Sequence, residues 1–282
     1  MGGKPFVLRF RDWELRLDHT AIMGIVNVTP DSFSDGGKFL DPALAVEHAV
    51  RLADDGAEIL DVGGESTRPG AEPVAAEEEW RRVGPVLKAL RGKTDARISI
   101  DTYKPEIAAK ALGLGADLVN DVRGFRDEDM VDLVAKQNVP VVVMHMKGEP
   151  KTMQETAAYG DVVGEVLAFF EVQTKALAAA GVDRQSIVID PGLGFGKRPE
   201  HNTEILRRLA DFRRLGYPIL VGASGKSFLG GSGGGEESDR LETSVAAAVL
   251  AVQKGADVVR VHDVAATAKA VRIADAVVRG SR

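Results

Sequence analysis

Eight short apolar runs recur along the chain, each followed by a polar or glycine-rich stretch and then by an amphipathic, often Ala-rich segment. The runs are Ile22–Val28, Ile59–Val62, Ile98–Ile100, Leu118–Val119, Val139–Met144, Ile187–Ile189, Ile219–Val221 and Val258–Val261. The intervening segments read as helices over Pro42–Asp54, Ala76–Leu90, Pro105–Leu114, Asp129–Gln137, Val162–Ala180, Asn202–Leu209, Glu242–Gln253 and Ala265–Val278. Near-continuous apolar strands that alternate with helices make a parallel sheet whose outer face the helices cover. An open doubly wound sheet produces the same alternation. Eight units, and no GxGxxG after the first strand, favour the α/β architecture of a single (β/α)8 TIM barrel. Pro105 suits a first helical turn, where its missing N–H leaves nothing unsatisfied. Gly56, Gly115, Gly181 and Gly255 each follow an Ala-rich helix, as helix stops should. No linker divides the chain, so residues 1–282 are expected to form one barrel domain, with the glycine-rich stretch 230–235 as a loop after the seventh strand. Ahead of the barrel, Phe6–Leu17 alternates loosely around Arg11-Asp12 and reads as a short N-terminal β-hairpin at the edge of the larger body.

Composition narrows the chemistry. With no cysteine among 282 residues, a disulfide scaffold, a thiolate zinc site and a Cys nucleophile are excluded together. The 36 basic and 42 acidic side chains leave a net charge of −6, which argues against nucleic acid as a bulk partner because phosphate neutralisation needs a basic face. An anionic ligand must therefore be met by local cations. No stretch of 18 apolar residues occurs, so no membrane span is expected. Met1–Pro5 lacks an apolar h-region, so no signal peptide is expected either. Together with the missing cysteines, this leads to the expectation of a cytoplasmic protein.

In such a barrel the site lies at the carboxyl ends of the strands. There the apolar runs give way, in order, to Asn27, Asp61, Asp101, Asn120-Asp121, His145, Asp190, Ser224 with Lys226, and Arg260 with His262. Asp101, Asn120 and Asp190 form a converging acceptor set, able to hold a flat heterocycle by its ring N–H and amino groups. A carboxylate there can also stabilise a developing cation. Arg68, Lys226, Arg260 and His262 are cations or potential cations, and Asn27 offers a neutral oxygen. That group suits a phosphate-type anion with Mg²⁺. A substrate carrying both a heterocycle and an anion fits the two poles. Each residue also has a plainer reading: a strand-end Asp can cap a helix or fix a turn, and Arg260 can form an ordinary salt bridge. Asp61 and Asp121 read as loop-fixing, and His145 and His262, each taken singly, as structural. Convergence of eight polar strand ends on one face favours a site. The loops 27–37 and 63–70 are long, rich in Gly, Ser and Pro, and carry Phe33 and Arg68, the make-up of loops that close over a substrate. No GxxxxGK[ST], HExxH or GxSxG is present.

Taken in order, these stretches resemble the dihydropteroate synthase family of pterin-binding barrels. The resemblance rests on 22–37 (IMGIVNVTPDSFSDGG), 61–70 (DVGGESTRPG), 99–102 (SIDT), 119–122 (VNDV), 144–146 (MHM), 190–197 (DPGLGFGK), 224–228 and 260–264 (RVHDV). It implies that Asp101, Asn120, Asp190 and Lys226 bind the pterin, with Met144 and Phe195 lining its pocket. It implies further that Asn27, Thr67, Arg68, Arg260 and His262 hold a diphosphate, Asn27 also contacting Mg²⁺, and that Phe33, Pro69 and Ser224 shape a p-aminobenzoate pocket. Asp101, Lys226, Arg260 and His262 would carry the catalysis. The implied reaction joins 6-hydroxymethyl-7,8-dihydropterin diphosphate to p-aminobenzoate through a carbocation-like displacement, giving 7,8-dihydropteroate and diphosphate for folate synthesis. The resemblance also implies a target of the sulfonamide class and a homodimer paired through helices outside the barrel.

One departure stands out. The family's Ser-Arg-Lys-Ser after the seventh strand is Ser224-Gly225-Lys226-Ser227 here, which removes one cation from the anion- and carboxylate-binding end. Gly225 motivates an alternative reading as a non-catalytic pterin-binding paralogue. A methyltetrahydrofolate methyltransferase of the same barrel family is another, although it would have no use for Arg68, Arg260 and His262.

Overall fold

The computed structural model describes residues 5–10, 13–29, 42–67, 70–149, 151–153, 157–222, 224 and 240–280. Eight strands alternate with helices as the periodicity requires. They are β3 (Ala21–Asn27), β4 (Ile59–Gly63), β5 (Arg97–Asp101), β6 (Leu118–Asp121), β7 (Val141–Met144), β8 (Ile187–Asp190), β9 (Leu220–Val221) and β10 (Val258–Val261). Their partners are α1 (Pro42–Asp54), α2 (Ala76–Leu90), α3 (Pro105–Gly113), α4 (Glu128–Gln137), α5 (Val162–Ala179), α6 (Pro199–Arg207), α7 (Arg240–Gln253) and α8 (Val264–Arg279). All neighbouring strands pair in parallel, in the order β8-β7-β6-β5-β4-β3-β10-β9. A parallel bridge between Ile189 and Ile219 joins the two ends, which closes the sheet into a barrel.

Side chains of a strand point alternately to its two faces, and the burial follows that alternation. Ile22, Val26, Leu60, Val62, Ile98, Ile100, Val141, Val143, Ile187, Ile189, Val259 and Val261 join the helices in the larger core. Met23, Ile59, Leu118, Val142, Val188, Leu220 and Val258 face the axis and form a separate core at the amino ends of the strands. In seven of the eight strands both faces are thus apolar low in the barrel, which explains the continuous rather than alternating runs in the sequence; β5, whose inward positions are Arg97, Ser99 and Asp101, is the exception.

The hairpin is a plug and not an edge feature. β1 (Phe6–Arg9) and β2 (Glu14–Leu17) pair antiparallel, Leu8 opposite Leu15. Leu8, Phe10, Leu15 and Leu17 pack with the axial residues of the barrel floor. A hairpin of two strands is marginal alone; here the amino end of the barrel supplies the apolar surface it needs.

Boundaries differ from the expected ones where backbone donors decide them. The fifth barrel strand starts at Val141, not Val139, because Pro140 has no N–H to give to a ladder, although its carbonyl accepts from Val119. α6 starts at Pro199, three residues before the expected Asn202, with proline in its first turn, and gives way to a 3-10 turn at Leu209–Leu215. The four helix-stop glycines Gly56, Gly115, Gly181 and Gly255 take φ of +110°, +95°, +99° and +104°, left-handed values open to glycine without strain. Among the described residues no helix is long and apolar enough to cross a membrane.

Below the barrel, His19 ties the hairpin exit to the start of β4. Its Nε2 lies 2.9 Å from Glu58 and its Nδ1 3.1 Å from Asp18. The hydrogen bond to Glu58, opposed by burial and helped by Asp18, raises its pKa from 6.5 to about 9. A group whose folded pKa is raised stabilises the fold fully below the unfolded pKa and loses that contribution as pH climbs through the folded one. The thermal midpoint should therefore fall between pH 6.5 and about 9. His19→Gln should remove that part of the slope, which calorimetry across the interval will reveal.

Candidate active site

The register of the ring decides which strand ends meet. Asn27 of β3, Gly63 of β4, Asp101 of β5 and Asn120 of β6 pair across one level. Met144 of β7 pairs with Asp190 of β8. In the inward series, Ile59 lies beneath Asp61, Leu118 beneath Asn120, Val142 beneath Met144, Val188 beneath Asp190 and Val258 beneath Arg260. Above the floor these five axial positions carry Asp61, Asn120, Met144, Asp190 and Arg260, while Ile25 of β3, paired with Asp61, stays apolar.

At the centre of this layer Arg260 spans two carboxylates. Its Nε donates to Asp61 Oδ2 at 2.6 Å and its Nη2 to Asp101 Oδ2 at 2.7 Å. Asn120 Nδ2 donates to the same Asp61 oxygen at 3.0 Å. Asp61 has no exposed side-chain surface, and its Oδ1 is buried with no hydrogen-bond partner among the described residues. Ser99 Oγ, from the neighbouring strand, is in the same state. Two acid groups and one guanidinium away from water are strongly coupled. Burial works against Arg260's charge, but Asp61 and Asp101 outweigh it and hold its pKa above the ordinary range. Burial first, and the Asp61 charge second, push Asp101 up to about 7, against the pull of Arg260.

Asp61 is the residue that sequence reasoning misplaced. Its place after an apolar run suggests a loop-fixing acid, yet it stands inside the barrel as a partner of Arg260 and Asn120. The signal was present in the spacing: Asp61 falls on the inward period of Ile59, as Asn120 does on that of Leu118. Asp121, one residue out of that period, does fix its loop. Its two oxygens accept the backbone N–H groups of Arg123 at 2.7 Å and Phe125 at 2.8 Å.

The other expected residues divide by location. Asp190 is buried and its Oδ1 accepts the N–H of Gly192 at 2.8 Å. Met144 and Phe195 lie together with Val122, Met146 and Met153, with Tyr103 packed against them, which makes an apolar patch beside Asn120 and Asp190. Ser224 Oγ lies 3.1 Å from His262 Nδ1 and accepts the His262 backbone N–H, joining the last two strand ends. Asn27 and Thr67 are partly exposed at the ends of β3 and in the loop after β4. Phe33, Arg68, Pro69, Gly225 and Lys226 lie outside the described residues, as do most of the loop after β3 and the stretch 230–235.

The base of the second loop has an anchor that the sequence did not suggest. Glu65 accepts from the Tyr103 hydroxyl at 2.9 Å and from Lys104, whose ammonium also meets Glu79 of α2 at 2.5 Å. Glu65 and Glu79 are almost fully buried, so this trio ties the loop carrying Thr67 to α2 and the start of α3.

No set of three or more His, Cys, Asp or Glu able to hold a metal occurs among the described residues. A magnesium ion does not need one. It binds through one or two protein oxygens together with substrate phosphates and waters, and the amide oxygen of Asn27 is a donor of that kind.

Residues 23–262 match the family described as pterin binding enzyme. The dihydropteroate synthase of Escherichia coli K12 is 45% identical over 262 residues, 93% of each chain. Among solved structures, the dihydropteroate synthase of Xanthomonas albilineans with 4-aminobenzoic acid superposes with a TM-score of 0.90 at 46% identity, covering 97% of this chain and 98% of that one. The same enzyme in complex with 7,8-dihydropteroate gives 0.86 at 44% identity, covering 96% and 98%.

The coupling at Arg260 gives a measurable consequence. In a carbon-detected NMR titration, the Asp101 carboxyl should turn over near pH 7. Asp61→Asn should move that midpoint down, because it removes the neighbouring negative charge. A midpoint unmoved by Asp61→Asn would contradict the coupling.

Proposed function

The chain belongs to the pterin-binding enzyme family and carries the activity of a dihydropteroate synthase, and we propose that its polar strand ends divide that activity between two poles. The reaction joins 6-hydroxymethyl-7,8-dihydropterin diphosphate to p-aminobenzoate, with 7,8-dihydropteroate and diphosphate as products. Asn120, Asp101 and Asp190 form the pterin pole, together with Lys226. Carboxylate and amide oxygens match the ring N–H and amino donors of a pterin, and Met144 and Phe195 offer its faces an apolar wall. Asn27, Thr67, Arg68, Arg260 and His262 form the diphosphate pole. Phe33, Pro69 and Ser224 shape the p-aminobenzoate pocket, where sulfonamides compete. Asp61 joins the site as the fixed counter-charge that aims Arg260.

The observation that carries this reading is Arg260 bridging Asp61 and Asp101 at the mouth, where the two poles meet. Diphosphate leaves with the electron pair of the C–O bond, and Arg260, Arg68 and His262 stabilise the charge that gathers on it. The methylene carbon left behind is cationic, and the Asp101 carboxylate beside it favours that charge. The arylamine of p-aminobenzoate then forms the C–N bond and loses a proton. This nucleophile is neutral near pH 7, so positioning and charge stabilisation dominate over base catalysis. Asn27 is the residue that would hold Mg²⁺, and bound there the ion supplies further neutralisation of diphosphate oxygens.

Purified protein with the pterin diphosphate, p-aminobenzoate and Mg²⁺ should release dihydropteroate and diphosphate. Absence of product at any enzyme concentration would sink the assignment. Asp101→Asn should keep the fold and lower kcat by about a hundredfold or more. Since Asp101 acts as a carboxylate and its pKa is raised to about 7, kcat/KM for the pterin substrate should decline as pH drops below that value, and Asp101→Asn should lose this acid limb.

The protein also works as a homodimer in this reading. α7 and α8 pack side by side and leave Leu250, Ile273, Val277 and Val278 exposed, Ile273 by 69% and Val277 by 80%. Apolar groups concentrated on one helix pair are the make-up of a covered face. Sedimentation should give a dimer, and Ile273→Asp with Val277→Asp should give a monomer; a wild-type monomer contradicts the pairing. A cytoplasmic location is consistent with the absence of cysteine, which fits a reducing compartment.

A further inference from the structure

Lys197 closes the motif Asp190–Lys197, and the strand-end reading assigns it nothing. It is one of the largest fully buried side chains in the protein, with 2% of its surface exposed. Its Nζ meets four acceptors: His145 Nδ1 at 2.9 Å, and the carbonyls of Gly192 at 2.9 Å, His145 at 3.1 Å and Phe195 at 3.1 Å. Buried lysine is rare unless its ammonium is satisfied, and here the acceptors come from two separate segments.

The first segment is the end of β7, where Met144 leads into His145. The second is the loop after β8, which carries Asp190 at its start and Phe195 near its end. The two run backbone against backbone. Gly192 and Gly196 take φ of +66° and +61°, and a Cβ at either would lie 2.1 Å from the carbonyl oxygen of His145 or Lys147. Three carbonyl dipoles pointing at one place repel one another unless a cation sits between them. His145 suits the role of partner: burial first, then the Lys197 charge, lowers its pKa well below the ordinary value. It is thus a neutral imidazole whose Nδ1 can accept from the ammonium. The loop is held elsewhere too, by Tyr159 on the Gly196 carbonyl at 2.9 Å and Asn202 on the Gly194 N–H at 2.7 Å.

We propose that Lys197 is a positioning residue for the pterin pocket, its ammonium setting the Asp190–Phe195 wall against Met144. The proposal rests on the reading that these three residues contact the pterin. The chain of contacts is short. Lys197 holds the Gly192 carbonyl, the Gly192 N–H orients Asp190 Oδ1, and the Phe195 carbonyl held by the same ammonium places the ring on the apolar wall. Displacements of an ångström at such contacts strongly weaken the binding they serve.

Lys197→Met, which keeps length and removes the charge, tests this. With circular dichroism matching the wild type, KM for the pterin diphosphate should rise roughly tenfold or more, while kcat and the KM for p-aminobenzoate at saturating pterin stay within about twofold. An unchanged pterin KM, or equal losses in both KM values and kcat, overturns the proposal. If Lys197→Met does not fold, Lys197→Arg keeps the charge with a longer reach and must fold and show the same split; failure of both to fold leaves Lys197 a residue of the fold alone and overturns it as well. Asp190→Asn separates the premise from the inference. A pterin KM unmoved by Asp190→Asn removes the pocket and the proposal together. A pterin KM raised by Asp190→Asn but not by Lys197→Met rejects Lys197 alone.

Discussion

Side chains of a β-strand point alternately to its two faces, and closing eight parallel strands into a ring turns that alternation into an inside and an outside. Everything distinctive about this protein depends on that constraint. Outward residues meet the helices and are apolar until the strand ends, as Val119 before Asp121 in β6. Inward residues meet one another, and their character changes with height: Ile59, Leu118, Val142 and Val188 at the floor, then Asp61, Asn120, Met144 and Asp190 one step above. The hairpin completes the lower half by filling the amino end of the barrel with Leu8, Leu15 and Leu17. The apolar floor lies beneath the polar layer, on the side away from the loops after the strands.

That enclosure sets the electrostatics of the site. Arg260, Asp61 and Asp101 interact in a setting where water screens them little, so the protonation of Asp101 depends on the charges of the other two. Asp61 is fully buried and Asp101 keeps some exposure, 0% against 11% of side-chain surface. The more exposed carboxylate is the one able to face a ligand, and the buried one the fixed partner of the guanidinium. A net charge of −6 is therefore no obstacle to binding anions. What matters is the orientation of a few cations at the mouth, and Arg260 is aimed there by two acids.

Much of this was legible beforehand because periodicity is a local property. The eight strands, their helices and the hairpin all read directly from spacing, as did the polar character of the strand ends. Asp61 and Asp121 look alike as single acids after apolar runs, yet one faces the axis and the other turns back onto the N–H groups of Arg123 and Phe125. Counting from Ile59 and Leu118 separates them, but only once those residues are known to point inward. The hairpin's alternation announced two strands and not that they would plug a barrel.

Residue order alone determined the fold class, the closed set of chemistries open to a chain without cysteine, and the height in each strand at which apolar residues give way to polar ones. These depend on neighbours in the sequence. Which groups meet was decided only by the tertiary structure: Asp61 with Arg260 across 199 residues, Asp101 with Arg260 across 159, Lys197 with His145 across 52. Such pairs arise from strand register and ring closure, which sum contributions from the whole chain. A carboxylate's environment, and hence its charge, follows from that sum and not from the residues beside it.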